Sequence, residues 1–320
     1  MTSLISRPAA SGRPDGSDDP ALAEHLTARL ETALEAHLAR AQTWYPHEYV
    51  PWSEGQNFAA LGGEPWSAGQ SGLSPAARTA LEVNLLTEDN LPSYHAELSR
   101  TFGRDGAWAT WVNRWTAEEG RHAACIRDYL LVTRGIDPAQ LERSRMATLQ
   151  AGYTSGGKPA IRACAYVSFQ ELATRVAHRN TGRCCEDPVA ERLLARIAMD
   201  ENLHMIFYRN VVQAALEIAP SQTLRAIADE IAGFLMPGSV VPGFARKAVQ
   251  IAQAGIYDLR IHHDDVIVPL LRHWRVFGAE GLDAEGERAR QDLAAALAAL
   301  DARATRFAAR QAERSTGQNG

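Results

Sequence analysis

Apolar residues recur along most of this chain at intervals of three and four, the spacing of one face of an α-helix, while strand-like alternation is scarce. The pattern predicts an all-α protein. A helix opens at Pro20 and runs to about Ala41, apolar at Leu22, Leu26, Leu30, Leu34 and Leu38. A loop rich in Pro, Gly and Trp follows from Trp44 to Gly72, long enough to suggest a docked or functional segment. Ser74-Pro75 is a helix start, with an N-cap before proline at N1. That helix should reach about Phe102 with a kink at Pro92, because proline cannot bond to the carbonyl four residues back, which is that of Glu88. Further helices are expected from Gly106 to Thr133, from Ala160 to about Asn180, from Pro188 to near Pro220 and from Ser221 to Met236. The last two run from Phe244 towards Gly278, kinked at Pro269, and from Asp283 to about Arg314.

The apolar stripes contain carboxylates and imidazoles where a core would be expected. Glu119 and His122 continue the stripe Trp108, Trp111, Trp115 and lead on to Ile126 and Tyr129. Glu201 and His204 lie between Leu194, Ile197 and Tyr208, Val211. These are the two Glu-x-x-His sequences in the chain, and residues three apart share a helix face. Glu88 precedes Glu119 by 31 residues and Glu171 precedes Glu201 by 30, each again on an apolar stripe. With 22 Glu and 10 His, chance supplies about 0.7 Glu-x-x-His matches, so the pairing and the upstream glutamates carry the signal. A charged carboxylate in a core costs several kcal/mol unless it is paired or holds a metal. One Glu from each of two helices and Glu-x-x-His from each of two others is the ligand set of a carboxylate-bridged di-iron or di-manganese bundle.

Each ligating histidine needs an acceptor for its other ring nitrogen, and Glu118 and Asp200, each just before a ligand Glu, are the candidates. Thr174, one turn beyond Glu171, can place a hydroxyl beside the site or bond back to its own helix. His262-His263-Asp264-Asp265 has metal-ligand residue types, but adjacent helical residues diverge by about 100° and read as a polar face.

Composition narrows the class further. The net charge of −5 argues against general nucleic-acid binding, and no apolar run is long enough to span a membrane. Four cysteines without a Cys-x-x-Cys pattern fit a reducing, cytoplasmic setting. Residues 1–20 lack the apolar segment of a secretory signal and read as a disordered tail, leaving 21–314 as one domain.

Four stretches carry a family resemblance: Leu-Thr-Glu-Asp-Asn-Leu-Pro-Ser-Tyr-His (86–95), Trp-Val-Asn-Arg-Trp-Thr-Ala-Glu-Glu-Gly-Arg-His (111–122), Ser-Phe-Gln-Glu-Leu-Ala-Thr (168–174) and Asp-Glu-Asn-Leu-His (200–204). They resemble the soluble acyl-carrier-protein desaturases over about Trp44 to Met236, closest to the actinobacterial branch, which Pro-His-Glu-Tyr-Val-Pro-Trp (46–52) also fits. The resemblance implies a ferritin-like bundle with a four-helix di-iron core and flanking helices, working as a homodimer. It implies two iron ions held by Glu88, Glu119, His122, Glu171, Glu201 and His204, with Thr174 near bound oxygen. It further implies an electron route through Trp44, Asp200 and His122, fed by ferredoxin. The reaction implied is O₂-dependent introduction of a cis double bond into an acyl chain on acyl carrier protein.

The chain departs from the family's usual pattern at Gly120, where Asn is common, and at Leu203, where a charge is common; no ligand is lost. Alternatives are a di-iron hydroxylase of a carrier-tethered acyl chain and a non-catalytic ferritin-like iron-binding protein. An acidic carrier protein would need clustered cations on this chain, Arg246 and Lys247 among the candidates. The resemblance also sets Ala163, Cys164 and Val167 beside the acyl tunnel, with Cys164 at its floor.

Overall fold

A computed structural model of the chain describes residues 20–317 except Met236. Residues 1–19, and with them nearly all of the expected tail, lie outside the described residues. Among the described residues the regular elements are helical throughout, and no helix is long and apolar enough to cross a membrane.

Helix α1 (Pro20–Arg40) leads into the loop from 41 to 74, which is punctuated by four single 3₁₀ turns rather than left formless. Helix α2 (Pro75–Asp89) begins as expected, Ser74 Oγ accepting from Ala77 N at 3.1 Å. Pro92 does more than kink it. The helix breaks at Asn90, whose N–H takes over the freed carbonyl of Glu88, and α3 (Leu91–Phe102) starts afresh. Helix α4 (Gly106–Val132) carries the first Glu-x-x-His pair.

The expected helices omit α5 (Pro138–Ala151), although Asp137 caps it by accepting from Ala139 N and Gln140 N ahead of Pro138. The same Asp-Pro start opens α7 (Pro188–Ile218), where Asp187 accepts from Val189 N at 2.8 Å. Between them α6 (Ala160–Cys184) runs a turn beyond its expected end. Helices α6 and α7 form the most extensive helix pair in the fold, with α1 packed on α7 and α4.

Two further expectations need correction. The helix expected from Ser221 is α8 (Pro220–Gly233), which starts one residue earlier at Pro220 and ends before Met236, and Ser221 Oγ accepts from Asp283 N beside the start of α12 (Ala284–Gly317). The single helix expected from Phe244 to Gly278 is broken into several shorter elements. Helix α9 (Phe244–Gln253) stops before Gly255, whose φ of +69° continues no helix. Asp258 then caps the turn α10 (Leu259–Ile261), followed by a π-helical stretch His262–Ile267 and α11 (Val268–Trp274). Pro269 cannot bond to Asp265, and the widened turn just before it absorbs that loss. The widening also turns His262 inward: it is buried, accepts from Tyr257 Oη at 2.8 Å and stacks on Phe234 at 4.7 Å. Burial pushes its imidazole down to about 4. The sequence 262–265 is thus not simply a polar face.

Candidate metal centre

Helices α2, α4, α6 and α7 bring Glu88, Glu119, His122, Glu171, Glu201 and His204 together in the core, all buried. Their donor atoms form two groups. Glu88, Glu119, His122 and Glu201 have atoms within 4.8 Å of one another, as do Glu119, Glu171, Glu201 and His204. Glu119 and Glu201 belong to both. One terminal carboxylate and one imidazole complete each group, so the geometry has the form of two cation sites sharing two bridging carboxylates.

Four of the donor atoms look onto this space unsatisfied. Glu119 Oε1, Glu171 Oε2, Glu201 Oε1 and His204 Nδ1 are buried with no hydrogen-bond partner. His204 Nδ1 stands 2.9 Å from Glu119 Oε1 and 3.6 Å from Glu171 Oε2 without hydrogen-bond geometry. On the other side His122 Nδ1 lies 3.2 Å from Glu119, 3.3 Å from Glu201 and 3.6 Å from Glu88. Oxygen and imidazole donors suit iron or manganese, not thiolate-seeking metals. Four orphaned buried donors and a hard ligand set fit a pair of such ions.

The charge balance without a metal says the same. Burial, then the charge of Glu201, pushes Glu119 up to about 7, and the same two causes hold Glu171 well above the carboxylate range. Burial resists the charge on Glu201 too, but its neighbours Glu171 and His122 keep it below the usual value. Glu88 is buried yet held down by the imidazoles of His122 and His178 beside it. The carboxylates cannot all be charged together unless cations replace the protons.

The far nitrogens of the two histidines have reciprocal partners. His122 Nε2 faces Asp200 Oδ2 at 3.4 Å, and His204 Nε2 donates to Glu118 Oε2 at 2.9 Å. Asp200 also accepts from the Trp44 indole at 2.7 Å and from Arg121 at 3.1 Å, and pairs with Arg196. Burial opposes its charge, but these bonds, that from His122 foremost, hold it down at about 2. Trp44 is 4% exposed, its ring parallel to that of His122 at 6.3 Å. Thr174 Oγ1 lies within hydrogen-bond distance of its own helix carbonyls and 3.1 Å from Glu201 Oε2, alternative acceptors for its one proton.

Three neighbours escaped the sequence reading. His37, from α1, donates to the same Glu118 oxygen at 2.9 Å. His178 bonds Glu88 Oε1 at 2.8 Å, and the Trp115 indole donates to Glu171 Oε1 at 3.1 Å. His178 lies seven residues beyond Glu171, two helical turns on the same face, and that spacing was the available signal. His37 offered none, since its partner lies 81 residues away.

A cavity of about 1320 Å³, counting its open mouth, reaches the centre at Glu88, Glu119 and Thr174. Its wall is largely apolar, with Val83, Leu98, Val167, Ile251 and Ile256 among the lining residues. Ala163 and Val167 line it as expected. Cys164 does not: it points into the core cluster containing Tyr208 and Val211, since it lies about 100° round the helix from Ala163.

A buried oxygen-and-imidazole centre opening on an apolar cavity agrees with what the chain is related to. Residues 19–319 match the fatty acid desaturase family model. The chain belongs to that family. DesA1 of Mycobacterium tuberculosis, which carries the name of an acyl-[acyl-carrier-protein] desaturase, is 48% identical over 90% of this chain and 88% of its own length. The chloroplastic acyl-[acyl-carrier-protein] desaturase 7 of Oryza sativa is 31% identical over 82% of this chain and 71% of its own. The X-ray structure of Mycobacterium tuberculosis DesA2 superposes with a TM-score of 0.69 at 30% identity, covering 84% of this chain and 99% of that one. The fold is the ferritin-like helical bundle of this fatty acid desaturase, and family membership implies a metal centre and an enzyme.

Proposed function

We propose that the protein desaturates an acyl chain borne on acyl carrier protein, using O₂ and two iron ions bound by Glu88, Glu119, His122, Glu171, Glu201 and His204. The observation that carries this reading is the pair of buried four-residue groups sharing Glu119 and Glu201 at the inner end of an apolar cavity. Reductive activation of O₂ is the chemistry two such ions supply when bound. For the overall reaction, one –CH₂–CH₂– unit, O₂, two electrons and two protons give one –CH=CH– unit and two waters.

The protein's own residues set the conditions. Apolar walls take the alkyl chain out of water and hold it against the centre. Asp200 and Glu118 fix His122 and His204 by the ring nitrogens that face away from the cluster of Glu88, Glu119, Glu171 and Glu201. Thr174 donates to Glu201 Oε2 from the cavity side, next to where oxygen must bind. Trp44, Asp200 and His122 form a continuous contact path from the outer loop to the centre, suited to electrons delivered by ferredoxin. A cytoplasmic homodimer whose single domain spans 21–314 completes the proposal.

Incubation with reduced ferredoxin, O₂ and carrier proteins loaded with different acyl chains tests it by product mass. Loss of two hydrogens is expected. Gain of one oxygen would make the protein a hydroxylase, and no O₂ consumption would make it a non-catalytic iron binder.

A further inference from the structure

The cavity changes character along its length. It follows α6 from Ala163 to Thr181, about 27 Å at 1.5 Å per residue, and passes the metal centre at Thr174. Towards Thr181 its wall is aliphatic, with Ala80, Val83, Ile251 and Ile256 packed in one cluster. Towards Ala163 it carries Tyr94, Glu97, Tyr153, Ser155, Lys158 and Tyr166. A wall that met only methylenes would have no use for these groups.

Most of them are spent on one another. Glu97 accepts from Ser155 N at 2.9 Å and from Ser155 Oγ, and pairs with Arg100. Lys158, the one cation among the lining residues, is paired with Glu230 at 3.0 Å. Tyr166 Oη donates to Leu235 O at 3.1 Å, and Tyr153 is its hydrogen-bonding neighbour.

Tyr94 is the exception. Its ring is set edge-on against Tyr153 at 5.2 Å, yet its Oη is buried with no hydrogen-bond partner. The polar group nearest to it is Asn90 Nδ2, one helical turn back and likewise buried without a partner. That group is a donor, and the acceptor of the same amide, Asn90 Oδ1, is taken by Ser93 Oγ at 2.9 Å. Asn90 can therefore supply a proton to the phenol but cannot receive one from it. The phenol proton has only the cavity to turn to, and a buried donor left unmet is costly.

Whatever meets it is a neutral acceptor. Glu88 and Glu119 are close enough for their charge to act on Tyr94, and Lys158 is already neutralised, so a carboxylate would be repelled. The acceptor also belongs to the alkyl part of the substrate. Helix α9, which supplies Ile251 to the aliphatic end, carries the exposed Arg246 on its outer side, a cation for an acidic carrier, while Lys247 next to it is paired with Glu82 at 2.6 Å. With the carrier at that end, Tyr94 faces the part of the chain that has passed the metal centre.

We propose that Tyr94 is a specificity-determining residue whose hydroxyl donates to a neutral oxygen function on the distal part of the acyl chain, so that the preferred substrate is an oxygenated acyl chain and not a plain alkyl one. The proposal rests on the desaturase reading.

The test uses the full-length, iron-loaded protein and carrier proteins bearing a saturated chain, or the same chain with one hydroxyl at successive carbons. Calorimetry should show one hydroxyl position, with its immediate neighbours, bound about tenfold more tightly than the plain chain. In Tyr94→Phe, which removes only the hydroxyl, that gain should fall below twofold at parental iron content. A keto group at the favoured position, which accepts but cannot donate, should bind the parent as tightly as the hydroxyl; this arm needs no variant and serves if Tyr94→Phe fails to fold. No position better than the plain chain, or a gain that survives in Tyr94→Phe, overturns the proposal. So does an equal loss of affinity for plain and hydroxylated chains in the variant, which would assign the phenol to the thioester end of the substrate. Absence of turnover of every chain with O₂ and reductant would refute the desaturase reading separately, since the affinities are measured without turnover.

Discussion

The carboxylate of Glu118 on α4 accepts from His204 on α7 at 2.9 Å, while Asp200 on α7 faces His122 on α4 at 3.4 Å. Each acid sits one residue before a candidate metal ligand of its own helix and serves the histidine of the other. The two Glu-x-x-His helices are thereby cross-braced through the outer side of the site. His37 and Arg114 hold Glu118, as Trp44, Arg121 and Arg196 hold Asp200.

Loosening one brace should weaken the ion on its side. Partners of this kind are worth about 10- to 100-fold in metal affinity. Glu118→Ala should therefore lower iron affinity by about that factor, with Glu118→Gln, which keeps an acceptor oxygen, losing less. Competitive iron titration against a chelator measures it. Parental affinity in the Ala variant would mean that the brace does not support the ion.

Shared and terminal ligands should separate in iron stoichiometry. Glu119 and Glu201 belong to both four-residue groups, Glu88 and Glu171 to one each. From about two irons per chain in the parent, Glu119→Ala or Glu201→Ala should retain close to none. Glu88→Ala or Glu171→Ala should keep about one. Equal losses in all four variants would contradict the bridged geometry, and parental iron content in Glu119→Ala or Glu201→Ala would remove the site.

The iron-free protein should lose stability as pH rises. Glu119 is pushed from the ordinary 4.5 to about 7, Glu171 also stands well above 4.5, and His122 and His204 well above 6.5. Each binds its proton more tightly folded than unfolded. Its contribution is complete below the unfolded value and disappears as pH climbs through the folded one. Asp200 at about 2, with Glu88, Glu118 and Glu201 also lowered, works the other way and fades only as the solution becomes acidic. Thermal melts of apo-protein should fall from about pH 6 to 9, and the gain from added iron should widen over that range. An apo melting temperature that rises with pH would contradict this.

The six candidate ligand positions that the fold brings together were legible because burial and helical spacing are local: a carboxylate on an apolar stripe marks itself. Their reciprocal braces could be named from the adjacent position, but the cross-pairing depends on how α4 and α7 face each other, which no periodicity encodes. His37 and Trp115 were hidden for the same reason. The break at Asn90 was visible only as a kink, because whether a freed carbonyl is recaptured depends on local geometry after Pro92. Helix α5 was missed although Asp137-Pro138 announces it, since its outer face is largely polar and its apolar stripe thin.

Gly120 stands inside the unbroken helix α4 next to Glu119 without a steric reason. It is exposed, and an added Cβ would meet only Leu91 Cδ2 at 3.9 Å, an ordinary contact. Gly120→Ala should stabilise the protein by about 1 kcal/mol with parental iron content. A destabilised variant in chemical denaturation would show that the helix needs glycine there.

Acyl-chain selectivity should respond to Ala163 and not to Cys164. The two residues are adjacent on α6, but Ala163 lines the cavity while Cys164 is 2% exposed within the core cluster of Tyr208 and Val211. Phenylalanine at 163 adds its ring to the cavity, so Ala163→Phe should favour shorter chains at parental iron content. Phenylalanine at 164 has no free space, and overpacking of that kind costs about 1–3 kcal/mol. Cys164→Phe should therefore melt lower with an unchanged ranking of chain lengths. Product analysis on a panel of acyl carrier proteins, beside thermal melts of both variants, separates the two effects. A shifted ranking in Cys164→Phe with a parental melt would return the tunnel floor to that residue.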